Sequence, residues 1–204
     1  MKPVTILFGT VTGNAASCAA KLEVTLTKCG IASRVVDMRS FEPEALGEED
    51  MVLVVTSTTG NGDPPYNAAS LHRYLHHERP PLKGLRFAVF ALGSRHFTHF
   101  AQCGRDFDEI LGVLGAERIV ERVDCDGYYA DPLDDFESRL FGYFGSHAED
   151  FPDFMVPEPP PPPPPPRSDP GEPSGSPESA PRIRTLLSRV KRRMKSVIAR
   201  RRLR

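Results

Sequence analysis

The most constraining feature of the sequence is the alternation of short apolar, β-branched runs with longer segments of helical periodicity. The runs are Val4–Phe8, Ser33–Asp37, Met51–Ser57, Arg86–Leu92 and Glu117–Val123. The helical segments are Gly13–Cys29, Tyr66–His77, Phe100–Leu114 and Pro132–Phe144. Strand–helix alternation of this kind predicts a parallel sheet with helices on both faces.

The third run supports this prediction because Val52-Leu53-Val54-Val55 is apolar throughout. Strands that are covered on both faces need this composition. We therefore predict an α/β fold with a doubly wound, five-stranded parallel sheet in the order 2-1-3-4-5. Such a sheet binds its ligand in a crevice at the carboxyl ends of the first and third strands.

Proline and charge divide the chain into three parts. Eight consecutive prolines, Pro159–Pro166, precede a segment rich in Ser, Gly, Pro and charge, which predicts a disordered linker. Residues 182–204 contain eleven Lys and Arg and no acid, so the rest of the chain holds fifteen basic residues and all 27 acids. The predicted parts are a folded domain at 1–156, a Pro-rich linker at 157–181 and a basic amphipathic tail at 182–204.

The basic tail has apolar residues at helical spacing and Arg or Lys on the remaining face. The apolar residues are Ile183, Leu187, Val190, Met194, Val197 and Ile198. This pattern predicts a helix that binds an anionic membrane surface or a calmodulin-like partner. Nucleic acid is disfavoured because the tail has no aromatic residue for base stacking. A solvated, disordered tail and a tail that folds back on the acidic domain and gates it are the alternatives.

Other sequence features indicate a cytoplasmic protein, with peripheral membrane contact through the tail as a variant. Lys2 and Pro3 lead directly into the first strand, so nothing resembles a signal peptide. No apolar stretch approaches the ~20 residues that a bilayer span requires. The four cysteines show no CxxC spacing and are expected to be reduced and buried.

The loop after the first strand, Gly9-Thr10-Val11-Thr12-Gly13-Asn14-Ala15, opens a helix. A helix start offers free amide donors and a partial positive charge, which suits a phosphate. The loop contains neither GKS/GKT nor GxGxxG, which excludes a Walker-type NTPase loop and a dinucleotide fingerprint.

Two further loops follow the third and fourth strands and are expected at the same edge of the sheet. Their sequences are Ser57-Thr58-Thr59-Gly60-Asn61-Gly62-Asp63-Pro64-Pro65 and Leu92-Gly93-Ser94-Arg95-His96-Phe97-Thr98-His99-Phe100. Three loops at one edge form a stronger indication of a site than any single loop.

The segments TVTGNA, TSTTGNGDPP and FALGSRHFTHFAQCGRDFD resemble the three FMN loops of the diflavin reductases. This family includes NADPH–cytochrome reductases and nitric oxide synthase reductase regions. The resemblance covers roughly residues 3–145 and only the FMN module, without the FAD and NADPH modules. It implies a flavodoxin-like domain, FMN as cofactor, a separate NADPH-dependent FAD reductase as electron donor, and a haem or iron–sulfur protein as acceptor.

The resemblance also implies the cofactor-binding residues, and it implies no catalytic or metal-binding residue. The phosphate contacts are Thr10, Val11, Thr12, Gly13, Asn14 and Ala15. The inner face and N5 edge of the flavin contact Ser57, Thr58, Thr59, Gly60, Asn61 and Gly62, and the outer face contacts Leu92, Gly93, Phe97, His99 and Phe100. Asp124 belongs to an acidic turn near N1, where nearby carboxylates at Asp131, Asp134 and Asp135 also suit a basic partner.

Individual residues refine the expected chemistry. Phe97 takes the place of the family's usual Tyr and is expected to stack on the flavin ring. Gly60 matches a glycine whose carbonyl turns towards N5 on one-electron reduction, which suits a residue that reaches positive φ freely. Thr59 replaces the aromatic residue of many relatives, and Val123 replaces a glycine. His96 and His99 are interpreted as loop-packing or solvent-facing residues beside the site.

Three functional hypotheses follow from the sequence. The first is an FMN-binding carrier of single electrons, an oxidoreductase module that depends on a separate reductase and does not oxidise NADPH itself. The second is a flavin-free interaction module that uses the acidic face and the basic tail, which Thr59 favours. The third is that the chain is a fragment of a larger diflavin reductase.

Overall fold

The computed structural model describes residues 2–156 of the chain. The predicted linker at 157–181 and the predicted basic tail at 182–204 lie outside the described residues.

A single parallel sheet forms the centre of the fold. Its strands are β1 (Val4–Gly9), β2 (Ser33–Asp37), β3 (Met51–Ser57), β4 (Arg86–Gly93), β5 (Glu117–Arg118) and β6 (Val123–Asp126). The strand order is β2-β1-β3-β4-β5, and β6 also pairs with β4. The predicted order 2-1-3-4-5 is confirmed, with β5 and β6 as two segments of the fifth strand.

Helices cover both faces of the sheet. They are α1 (Asn14–Lys28), α2 (Ala69–His77), α3 (Gln102–Val113) and α4 (Ala130–Ser146), with two short 3-10 helices at Met38–Ser40 and Pro43–Glu48. Strand β4 shows the alternation that joins the two layers. Ala88, Phe90 and Leu92 face the core shared with α1 and α4. Phe87, Val89 and Ala91 face the core shared with α2 and α3.

The fifth strand departs from the prediction of one continuous run at Glu117–Val123. Strand β5 pairs with the start of β4 and β6 pairs with its end. The Ile119 amide still donates to the Phe87 carbonyl at 2.9 Å, so the pairing is interrupted after Ile119. Arg118 and Arg122 flank this interruption, and both bind the buried carboxylate of Asp108 in α3, at 2.7 and 2.9 Å. These ion pairs draw the strand towards the helix and explain why the pairing is not continuous.

Helix α2 begins at Ala69 and not at the predicted Tyr66. The preceding residues form a turn in which the Ala68 amide donates to the Pro65 carbonyl at 2.8 Å. Asn67 in this turn is buried and directs its side chain towards the first loop. The contacts of this turn therefore delay the start of the helix.

The chain after α4 forms a strap, residues 147–156, across the amino ends of the strands. Phe151 inserts into the core of α1 and α4 and is 4% exposed. The Met155 amide donates to the Cys29 carbonyl at 2.9 Å, and Asp150 pairs with Arg86 at 2.7 Å. Gly30 permits the close approach, because a Cβ there would overlap the Asp153 carbonyl. The strap thus closes the edge of the sheet opposite to the three loops.

Two further observations concern residues 2–156. Cys18, Cys29, Cys103 and Cys125 are free and buried. Within this range, no helix combines the length and the apolar character needed to cross a membrane.

Candidate functional site

The carboxyl ends of β1, β3 and β4 bring the three predicted loops to one edge of the sheet. Loop 1 is 10–13, loop 2 is 58–68 and loop 3 is 94–101. Loop 2 packs against loop 3, since a Cβ at Gly62 would lie 3.1 Å from the Cβ of His99. The Gly127 amide after β6 donates to the Gly93 carbonyl at 3.3 Å, which adds the acidic turn to the same edge.

Loop 1 forms an anion cradle at the start of α1. Gly13 precedes the helix with φ of 90°, a conformation that favours glycine. No side chain caps the helix and its first turn contains no acidic residue. The first-turn amides, including those of Asn14 and Ala15, have no intrahelical acceptor and point towards the loop. An anionic group with several acceptor oxygens, such as a phosphate, fits this arrangement.

The side chains of loop 1 divide into two groups. Thr10 is part of the scaffold, because its Oγ1 accepts from the Gly13 amide at 3.0 Å. Val11, Thr12 and Asn14 are exposed. The side chains of Thr12 and Asn14 form no hydrogen bond within residues 2–156, which leaves them free for a ligand.

Asn67 is a residue of this site that the sequence did not reveal. It is 7% exposed, and its Oδ1 accepts from the Thr10 amide at 2.9 Å. Its Nδ2 donates to the Phe8 carbonyl at 3.4 Å and to Asp37 Oδ1 at 3.0 Å. A polar residue directly after the Pro-Pro-Tyr turn was the available signal, but its partners are far away in the sequence.

Loop 2 is a small hairpin with a free tip. Thr59 and Asp63 exchange two backbone hydrogen bonds of 2.9 Å and form an antiparallel bridge. Gly60 and Asn61 lie exposed at the tip, and Gly60 has φ of 49°. The base is fixed, because Thr58 donates its amide to the Leu92 carbonyl at 3.1 Å and accepts from the Cys103 amide at 3.2 Å. The tip can therefore present backbone groups to a ligand while the base stays in place.

Loop 3 displays an aromatic side chain at the edge. Phe97 is 61% exposed, and its amide donates to the Ser94 carbonyl at 3.1 Å. The Arg95 amide donates to Asp126 Oδ1 at 3.0 Å, and the Arg95 guanidinium lies 4.9 Å from the centre of the Phe100 ring. Phe97 is thus held by the loop and offers a ring face for stacking on a planar ligand.

Exposed apolar side chains surround the same edge. Val11, Tyr66, Phe97 and Tyr128 are each more than half exposed, and all four lie on the loops that follow the strands. Apolar surface gathered around a polar cradle is typical of a ligand or partner site. A ligand with an anionic tail and an aromatic ring system matches both parts of this surface.

The remaining predicted residues have more restricted roles. Ala15 and Leu92 are buried, so they can offer a ligand only backbone atoms or packing contacts. The Ser57 hydroxyl donates to the Gly9 carbonyl at 3.4 Å. The Asp124 carboxylate forms ion pairs with Arg122 at 2.7 Å and with Arg105 at 3.4 Å, so it already has partners. A flavin contact of Asp124 stays a prediction.

The cysteine nearest to the loops is not a reactive group. Cys103 lies in the first turn of α3, and its Sγ lies 3.4 Å from Thr56 Oγ1. Burial raises the pKa of the Cys103 thiol to about 12. Because the thiol stays protonated at neutral pH, it acts as a small packing residue beneath the loops.

Comparison with known proteins identifies relatives of the folded part. The flavodoxin family model matches residues 6–139. The sulfite reductase [NADPH] flavoprotein alpha-component of Bacillus subtilis is 44% identical over 132 residues, which are 64% of this chain and 22% of that protein. The protein of the same name from Vibrio parahaemolyticus is 37% identical over 140 residues, or 68% of this chain and 22% of that protein. The chain therefore spans about a fifth of the length of these curated relatives.

Solved structures agree with this comparison. A flavodoxin from Pseudomonas aeruginosa, in a C101A mutant form, superimposes with a TM-score of 0.59 at 29% identity, covering 68% of this chain and 99% of that one. A flavodoxin from Streptococcus pneumoniae gives a TM-score of 0.64 at 23% identity, covering 71% of this chain and 99% of that one, which supports the fold alone.

Proposed function

Because this chain belongs to the flavodoxin family, whose cofactor is FMN, we propose that its three loops hold FMN and that the bound flavin carries single electrons. The observation that carries the proposal is the uncapped start of α1 at the same edge as the exposed ring of Phe97. The flavin supplies the one-electron chemistry when bound, and the protein supplies binding and orientation.

Each loop has a proposed task. The first-turn amides of α1, with Thr12 and Asn14, hold the phosphate. Gly60 presents a backbone carbonyl to the N5 edge, which its exposed position at the hairpin tip permits. Phe97 covers the outer face of the ring and excludes water from it.

We further propose the electron donor and the class of acceptor. The donor is an NADPH-dependent FAD reductase, and the acceptor is a haem or iron–sulfur protein. Relatives named as NADPH-dependent flavoprotein components of sulfite reductase support this proposal. Exposed carboxylates beside the loops, including Asp126 and Asp131, favour a basic docking surface on the partner. Contact with a membrane or a calmodulin-like partner stays a prediction for residues 182–204.

The test is reconstitution of the full chain with FMN. The purified protein is mixed with excess FMN, desalted, and examined by absorbance. We expect retained flavin bands near ~450 nm and, on partial reduction, a one-electron-reduced flavin signal in electron paramagnetic resonance. A folded protein that stays colourless would contradict the proposal and favour the flavin-free interaction module.

A further inference from the structure

The turn before α2 contains a buried amide side chain that touches two other parts of the carboxyl edge. Asn67 is 7% exposed, and buried amides of this kind are retained only when their hydrogen bonds are satisfied. Its three hydrogen bonds reach the Thr10 amide, the Phe8 carbonyl and the Asp37 carboxylate. Asn67 therefore connects the last turn of loop 2 to the ends of both β1 and β2.

The orientation of the Asn67 amide is determined by its partners. The Phe8 carbonyl and the Asp37 carboxylate offer only acceptor oxygens, so both must face Nδ2. The Thr10 amide can only donate, so it must face Oδ1. A flipped amide would lose all three hydrogen bonds. The Arg39 amide, which donates to Asp37 Oδ1 at 2.9 Å, holds the carboxylate in position.

These hydrogen bonds continue into the phosphate cradle. Asn67 holds the Thr10 amide, and Thr10 Oγ1 in turn holds the Gly13 amide at 3.0 Å. Gly13 is the N-cap residue of α1 and directly precedes the first-turn amides. The path Asn67–Thr10–Gly13 thus links a buried side chain to the amides that face the phosphate.

We propose that Asn67 is a positioning residue that makes the site selective for a flavin with a phosphate. This inference rests on the proposed function. Asn67 touches neither the exposed ring of Phe97 nor the tip of loop 2. Its removal should loosen the cradle and leave the ring contacts in place. The protein should then lose its preference for FMN over riboflavin, which has the same ring system and no phosphate.

The test compares the dissociation constants of FMN and riboflavin for the full chain, measured by quenching of flavin fluorescence. For Asn67→Ala we expect FMN binding to weaken about tenfold or more, as loss of a buried hydrogen bond predicts, and riboflavin binding to weaken less than about threefold. Asp37→Ala is a second variant, which keeps Asn67 but removes the carboxylate that orients it. We expect it to shift the FMN-to-riboflavin ratio in the same direction.

Thr5→Val is the matched control. Thr5 is a buried polar residue near the other end of β1, and its Oγ1 donates to Glu49 at 2.7 Å and accepts from Arg34 at 2.9 Å. This variant should lower stability and leave the FMN-to-riboflavin ratio unchanged. Equal weakening of both flavins by Asn67→Ala, or no weakening of either, would overturn the inference. If the unmodified chain binds neither flavin, the proposed function itself fails, and the inference fails with it.

Discussion

Thr59 contributes to the structure of the loop 2 hairpin but provides no aromatic ring for binding a flavin. Its backbone closes the loop 2 hairpin with Asp63, and its side chain adds hydrogen bonds to the carbonyls of Asp63 and Pro64. The resemblance places an aromatic ring at this position in many relatives. The hairpin is thus formed without the ring. In the proposed FMN site, Thr59 would offer the inner face of the flavin no stacking partner.

We predict that Thr59→Tyr strengthens FMN binding by about twofold to tenfold, because an aromatic pair contributes about 0.5–1.5 kcal/mol beyond its buried area. The backbone bonds to Asp63 do not depend on the side chain and should persist. Fluorescence quenching titrations give the dissociation constant. Thr27→Tyr, at an exposed position on α1, is the control and should change nothing. An unchanged affinity in Thr59→Tyr would mean that loop 2 does not face the flavin.

Glu137 is a buried carboxyl group outside the candidate site. It is 7% exposed on α4, and its Oε1 has no hydrogen-bond partner within residues 2–156. Burial raises the pKa of Glu137 above its ordinary value, although the nearby Lys21 opposes this effect. Because the folded pKa is raised, the folded state binds the proton more tightly than the unfolded chain does. The contribution of Glu137 to the free energy of unfolding should therefore fall as pH rises from the ordinary pKa of a glutamate through the raised pKa of Glu137.

We predict that Glu137→Gln is more stable than the unmodified protein at pH 8, by on the order of 1 kcal/mol, and that the difference shrinks towards pH 4. The amide keeps the shape of the carboxyl group without its charge. Urea unfolding at several pH values measures the effect. Asp135→Asn is the control, since the Asp135 side chain is 51% exposed and pairs with Arg139 at the surface of the same helix. A stability difference that does not vary with pH would contradict the interpretation.

The residues that the sequence revealed and those that it did not differ in a physical way. The backbone donors of loop 1 and the ring of Phe97 could be recognised because each belongs to a local pattern after a strand. Asn67 and Glu137 could not, because their environment arises from segments distant in the chain. Thr10 and Asn67, for example, are separated by 57 positions. Burial of a polar side chain is a property of the packed fold, and no local pattern encodes it.

At the scale of elements, apolar composition predicted the central strands well. The observed bounds of β3 are the predicted ones, and β3 is buried along nearly its whole length. The bounds of β2, an edge strand, are also the predicted ones. The fifth strand was misjudged because its sequence combines β-branched residues with Arg118 and Arg122, whose ion pairs to α3 interrupt the ladder. Composition therefore predicts where the strands lie, but it does not predict the break in the fifth strand, where side-chain contacts compete with pairing.

Helix α3 carries loop 3 and lies very close to β4. A Cβ at Gly104 would overlap the side chain of Ala91, whereas a Cβ at Gly112 would meet only the Arg118 guanidinium, at 3.8 Å. Two glycines of one helix thus provide a matched pair, one at a close approach and one at the surface. The distance between α3 and the sheet depends on the first.

We predict that Gly104→Ala lowers the free energy of unfolding by about 1–3 kcal/mol through overpacking. Gly112→Ala should raise it by up to about 1 kcal/mol, because alanine favours the helix. Chemical denaturation of both variants measures these changes. The opposite signs are the informative result, and a loss of stability in both variants would mean that helix propensity does not govern the exposed position.

At the scale of the whole molecule, the two edges of the sheet have different tasks. The carboxyl edge carries the three loops, and the amino edge is closed by the strap at 147–156. Phe151 joins the strap to the core, with its ring 4.6 Å from that of Phe144 in α4. The strap, which stabilises the fold, thus lies at the opposite edge of the sheet from the proposed FMN site.

We predict that Phe151→Ala lowers the free energy of unfolding by about 3–5 kcal/mol, as expected for removal of a buried phenyl ring. The dissociation constant of FMN should stay within about twofold of its original value at a temperature where the variant is folded. Thermal unfolding and fluorescence quenching give the two quantities. A large loss of FMN affinity in the folded variant would show that the two edges are coupled.

The strap also places Met155 beside Cys29, at the amino edge of the sheet. Val156 leaves from the amino edge, and the eight residues of β4 place that edge about 25 Å from the loops at ~3.3 Å per residue. A fluorophore, a resin or a gold surface attached at this position would leave the three loops, the proposed flavin site, facing outward into solution. Immobilised protein should therefore accept electrons from a soluble reductase, while direct exchange with the support stays slow.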